Sequence, residues 1–166
     1  QGEIRRMSGS CQDITDRKHA EEKLRLSEQR QELALSGANL GLWNWDVSSG
    51  KALFDARWCS MLDYAVDELE PHVNTWLSLL HPEDVPTIQA ILESHLKNET
   101  PDYDVEFRAR HKAGHWVWIL ARGRVVERDH AGAPLRMAGT HMDITERKQA
   151  EEAIREAELR YRTIFK

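Results

Sequence analysis

One stretch of this sequence occurs twice. Residues 2–30 and 132–160 align without a gap and share 15 identities in 29 positions. Both copies carry an Asp-Ile-Thr triplet, Asp13-Ile14-Thr15 and Asp143-Ile144-Thr145. Both follow it with Arg-Lys and then Ala-Glu-Glu, at Arg17-Lys18 with Ala20-Glu21-Glu22 and at Arg147-Lys148 with Ala150-Glu151-Glu152. A self-match at about one domain's spacing is the mark of tandem modules. It predicts one complete module between two copies of the same junction, with four segments. Residues 1–12 are the terminal strand of a preceding module, 13–35 a linker helix, 36–145 the domain itself, and 146–166 an exit helix leading to the next module.

From Asp13 the chain reads as helix. Asp13 offers an N-cap side chain with Asp16 three residues on, and residues 17–30 lack Gly and Pro and are rich in helix formers. Apolar residues are few there, as in a helix that is solvated or paired along a narrow seam. Gly37 and Gly41 break the pattern. Trp43, Trp45 and Val47 then fall on one face of an alternating strand, Ser48-Ser49-Gly50 supplies a turn, and residues 51–55 form the second arm of a hairpin. Residues 56–100 divide into short helical pieces. Pro82-Glu83-Asp84 opens the longest, in which Val85, Ile88, Ile91, Leu92 and Leu96 recur at helical spacing. In the next strand Tyr103, Val105, Phe107 and Ala109 alternate with polar residues, as on a half-buried antiparallel strand. Residues 116–126 and 135–142 supply two more strands. The order predicts an α+β fold, an antiparallel sheet with helices on one side. On the exit helix Ala150, Ile154, Ala157 and Tyr161 are spaced 4, 3 and 4, a short heptad seam that predicts a homodimer.

The net charge of −5 and a pI near 5.9 give no basic face for nucleic acid. No apolar run approaches the roughly 18 residues needed to span a bilayer, so no direct membrane contact is expected and the chain is read as cytoplasmic, within a parent that is free to be membrane-anchored. Cys11 and Cys59 lack C-x-x-C spacing and are expected to be reduced thiols.

Several ordered motifs resemble one family. Leu42-Trp43-Asn44-Trp45-Asp46, Leu80-His81-Pro82-Glu83-Asp84, Glu106-Phe107-Arg108, Gly114-His115-Trp116-Val117-Trp118 and the run from Gly139 through Asp143-Ile144-Thr145 to Lys148 are together similar to a PAS domain with its PAC segment. The resemblance covers roughly residues 28–147. It implies a PAS fold, a five-stranded antiparallel sheet cupped around short helices and flanked by linker helices. It also implies a place in a multi-PAS sensor whose effector is a histidine kinase or a diguanylate cyclase.

The residues themselves offer little chemistry. His95-Leu96-Lys97 lacks the acid that follows a phosphoacceptor histidine, and there is no glycine-rich phosphate loop, so no catalytic residue is assigned and the fragment is read as non-catalytic. Cys59 stands too early for the reactive cysteine of a light-sensing flavin domain and reads as a small buried thiol. His95, on the long helix, is the candidate axial ligand for haem, weighed against an ordinary partly exposed histidine. Trp43 and Trp45, with Trp76, Trp116 and Trp118, are the candidates for an aromatic cleft holding non-covalent flavin, weighed against core packing. His111, His115 and His141 lack further ligands to complete a metal site, and no metal is expected. No cofactor is therefore expected, with flavin or haem as the alternative. The expected partners are a second copy, adjacent modules and a small-molecule ligand in the core. Asp143, Ile144 and Thr145 are read as a signal-transfer joint: a helix cap that also fixes the angle at which the sheet drives the exit helix. The alternatives to a sensory relay are a flavin- or haem-bearing redox or gas sensor and a purely structural dimerisation spacer.

Overall fold

The computed structural model describes the backbone of residues 4–165 and the side chains of residues 11–165. The chain forms two units, residues 1–38 and 39–166. The first is a single helix, α1 (Ile4–Ala38), ended by Asn39 in the left-handed region at a φ of +51°. Residues 4–12 are thus helical where a strand was expected, and Asp13 lies inside the helix rather than at its cap; residues 1–3 lie outside the described residues. A strand needs a neighbour to pair its backbone, whereas a helix satisfies each N–H and C=O within itself. The mid-helix Thr15 accordingly donates its hydroxyl to the Cys11 carbonyl one turn back, at 3.0 Å.

The second unit opens with β1 (Leu40–Asp46) and β2 (Ala52–Phe54). The short helices α2 (Ala56–Ser60) and α3 (Val73–Leu79) follow, then α4 (Val85–Leu96), β3 (Tyr103–Arg110), β4 (Trp116–Arg128), β5 (Pro134–Asp143) and α5 (Thr145–Ile164). The strands form one antiparallel sheet in the order β2-β1-β5-β4-β3, so the last strand occupies the centre. The α+β expectation and the alternation in β3 both hold: Tyr103, Val105, Phe107 and Ala109 are buried, and Asp104, Glu106 and Arg110 are exposed. The core lies between this inner face and α2, α3 and α4, where Phe107, Ile88, Ile119, Met137 and Cys59 are fully enclosed. Each large apolar side chain buried there contributes about 1.5–3 kcal/mol.

Two contacts fix α4 against the sheet. At its N-terminus, Asp84 makes no side-chain cap. Its carboxylate instead accepts from the Arg108 backbone N–H at 2.9 Å, from Nε at 3.0 Å and from Nη2 at 2.7 Å. The Arg108 guanidinium holds the Asp84 carboxyl below its usual range. At its C-terminus, Arg128 donates to the Leu96 carbonyl at 3.0 Å and meets the His95 carbonyl at 3.4 Å.

Candidate functional site

One cross-strand row carries the site. Phe54, Trp43, Gly139, Gly123 and Tyr103 stand opposite one another on β2, β1, β5, β4 and β3. The two central positions have no side chain, and the Trp43 indole occupies that space. A Cβ on Gly123 or on Gly139 would come within 2.6 Å of Trp43 Cζ2. From the far side Tyr103 meets the same indole edge-on, with ring centroids 6.4 Å apart. Gly41 likewise lets β1 pass the backbone of Trp58, where a Cβ would fall 2.6 Å from its Cα.

The helices roof this floor. Trp58 of α2 stacks on Phe54 at 4.0 Å, Trp76 of α3 meets Phe107 edge-on at 5.9 Å, and Leu92 comes from α4. Between floor and roof lies an aromatic chamber. Its cavity volume is about 40 Å³. Its lining contains no Asp, Glu, Lys or Arg. A smaller void adjoins it and shares Trp58, Trp76 and His141 with it.

The polar atoms of this chamber are its unusual feature. The indole N–H groups of Trp43, Trp45, Trp58 and Trp76 and the Tyr103 hydroxyl are buried without a hydrogen-bond partner among the described residues. Buried polar groups are normally paired, so five orphans around one cavity is a concentration to be explained. His141 joins them. It is 5% exposed, packs against Trp43, Trp58 and Phe107 at centroid distances of 6.0, 5.5 and 5.4 Å, and shows no side-chain hydrogen bond among the described residues. Burial among rings pushes its pKa down to about 3, because a charged imidazole would be stripped of water. Burial also drives the Tyr103 phenol well above its usual value.

Of the tryptophans weighed between a cleft and the core, Trp43, Trp45 and Trp76 line this chamber while packing against the core. Trp116 and Trp118 do not. Strand parity sends Val117, Ile119 and Ala121 inward and turns these two tryptophans to the other face, so their assignment to the cleft is corrected. His95 is buried at 3% exposure rather than partly exposed. Its Nε2 accepts from the Val125 backbone N–H at 3.0 Å, next to a bulge in β4. Its Nδ1 therefore carries the proton and donates to the Thr100 carbonyl at 3.1 Å. Both nitrogens are occupied, which leaves neither for a haem iron. His141, Trp58 and Tyr103 escaped notice as chamber residues, although the parity of β5, with Met137, Gly139 and His141 on one face, points to the first.

Two residues beyond His141 the strand becomes helix. Asp143 Oδ1 accepts from the Thr145 backbone N–H at 2.9 Å and from its hydroxyl at 2.6 Å. The residue at the cap position is Ile144, buried at 4% exposure, so Asp143 acts from one position further back than a simple N-cap. Trp118 on β4 grips both following residues. Its carbonyl accepts from the Ile144 N–H at 2.9 Å and its N–H donates to Thr145 Oγ1 at 3.1 Å. The first turn of α5 is clamped as well. Arg147 and Lys148 both pair with Glu106 on β3, and Lys148 Nζ lies 4.8 Å from the centroid of the Trp118 ring. The Lys148 and Arg147 cations hold the Glu106 carboxyl below its ordinary range. Ala150, Ile154, Ala157 and Tyr161 share none of this, and all four side chains are exposed along α5.

A family described as "PAS fold" matches residues 51–141, more than half of the chain. The chain belongs to the PAS fold family. A solved structure of a sensory box histidine kinase/response regulator from Burkholderia thailandensis superposes with a TM-score of 0.71 at 35% identity, over 81% of this chain and 98% of that one. The probable diguanylate cyclase DgcE of Escherichia coli is 26% identical over 143 residues, and the sensor protein FixL of Bradyrhizobium diazoefficiens is 27% identical over 131. The PAS chain spans 13% and 25% of the lengths of these two proteins. It is a PAS sensory domain of the kind found in signal-transduction proteins. No helix among the described residues is long and apolar enough to cross a membrane.

Proposed function

We propose that this PAS domain is a non-catalytic relay in a cytoplasmic segment of a histidine kinase or diguanylate cyclase. A rearrangement of the aromatic chamber is passed through Asp143, Ile144 and Thr145 into α5. The observation that carries this reading is continuity along β5. Met137 and His141 line the chamber, Gly139 between them lies against the Trp43 indole, and Asp143 to Thr145 hold the helix start against Trp118, with no loop between them. A signal changes output only through its differential free energy for two arrangements, and here any displacement of the central strand is a displacement of the helix. Haem or flavin as a resident group is not favoured. His95 has both nitrogens engaged, and the chamber is small.

The test needs no knowledge of the natural signal. With a diguanylate cyclase reporter fused after α5, Trp76→Ala hollows the chamber and is expected to shift basal output by about fivefold or more. In an Asp143→Ala background the same substitution is expected to leave output unchanged while the sheet still folds. Equal shifts in both backgrounds would defeat the relay.

A further inference from the structure

The contacts that fix the start of α4 and those that fix the start of α5 meet on one ring. α4 packs on the inner face of the sheet, whereas Arg147 and Lys148 of α5 meet Glu106 and Trp118 on the outer face. The edge strand β3 lies between them. At Arg108 the segment leading into α4 is stitched to that edge: the Arg108 carbonyl accepts from the His81 N–H at 2.9 Å, and the Arg108 N–H donates to Asp84. Covering an edge requires only those backbone bonds. The side chain does more. Its guanidinium donates to both oxygens of the Asp84 carboxylate, and its Cζ lies 5.4 Å from the ring centroid of Trp118, the residue paired with it across β4. A two-pronged, charge-assisted bond of this kind fixes geometry as well as energy. The Lys148 ammonium lies against the same ring. With Glu83, which Arg108 reaches at 3.4 Å, three carboxylates balance three cations around Trp118.

We propose that this network is a brace coupling α4 to α5 around the edge of the sheet: Arg108 passes a shift of the α4 start to the Trp118 ring, and Lys148 passes it into the first turn of α5. Fully exposed ion pairs contribute little singly. Here Asp84 and Arg108 are only 19% and 25% exposed, and each is bonded more than once, so loss of one member is felt by the others. α4 also carries Ile88, enclosed in the core, and Leu92, which lines the chamber. The roof of the chamber thereby reaches the start of α5 by a route separate from β5, and the brace stands whether or not β5 acts as a relay.

A double-mutant cycle between Asp84 and Lys148, which pair with different partners, decides it on the 166-residue chain. The readout is hydrogen exchange at the Ile144 amide, bonded to the Trp118 carbonyl at 2.9 Å, relative to the Ala121 amide in the ladder between β3 and β5. Asp84→Asn should speed Ile144 exchange by about fivefold or more and leave Ala121 unchanged. Lys148→Met should do the same, and the double variant should match the faster single variant, where independent sites would multiply their effects. Asp104→Asn breaks the pair with Arg122 on the same strand and should leave Ile144 within about twofold. An unchanged Ile144 in Asp84→Asn, multiplied effects in the double variant, or equal acceleration at Ala121 would each overturn the brace. Should Asp84→Asn not fold, Arg108→Lys, which keeps the charge and loses the fork, takes its place under the same expectations. Asp143 and its bonds are untouched in every variant, so a failure here is distinct from a failure of the relay along β5.

Discussion

His141 is held where its charged form has no water and no partner. Its ordinary pKa of 6.5 falls to about 3 in the folded chain, so the unfolded state binds a proton that the folded state refuses. The stabilisation is complete above pH 6.5 and is lost progressively as pH falls toward 3. Between about pH 7.5 and about pH 5 the domain should lose about 2 kcal/mol in urea unfolding, and His141→Phe should flatten that dependence. An equal loss in the variant would assign the acid sensitivity to other groups. Asp84 and Glu106 also have lowered pKa values, and their contributions disappear only at more acid pH, below the ordinary carboxylate range.

At the level of elements, the sheet was largely legible in the sequence because period-2 alternation reports which face is buried. Tyr103 to Ala109 is the plainest case. On β4 and β5 the same parity turns Trp118 away from the cleft it was a candidate for and brings His141, weighed only as a metal ligand, to the chamber. Helix starts were less legible: the Asp84 carboxylate serves Arg108 rather than its own helix, and Asp143 reaches the Thr145 N–H and hydroxyl from one position before the cap. The row through Gly139 makes a sharper demand than any propensity. A Cβ there would lie 2.0 Å from the Arg122 carbonyl oxygen as well as against Trp43. Backbone cannot move aside as a side chain can, so Gly139→Ala should cost about 3 kcal/mol or more and Gly132→Ala, in open space, only the strain of its positive φ, about 1 kcal/mol. Thermal unfolding of the two variants checks this, and comparable losses would contradict the packing of Trp43 across the sheet.

For the molecule as a whole, the repeated junction shows how far context overrules sequence. Met137 to Met142 is strand because β1 and β4 flank it, whereas the matching residues 7–12 are helix in a unit that has no sheet. Local propensity is a weak prior beside tertiary pairing. The seam on α5 remains a proposal about association. Ile154 and Tyr161 are 62% and 64% exposed on a helix with no buried residue, and Ile154→Asp should lower the dimer fraction in sedimentation. An unchanged dimer would move the interface off α5. The direct passage from β5 into α5 also fixes an angular phase. With one residue between strand and helix and hydrogen bonds to Trp118 on both sides of it, the start of α5 is fixed to the sheet. On the relay proposed above, each residue inserted after Lys148 would turn whatever the helix carries by about 100° and advance it by about 1.5 Å, which makes helix length a further test of that relay.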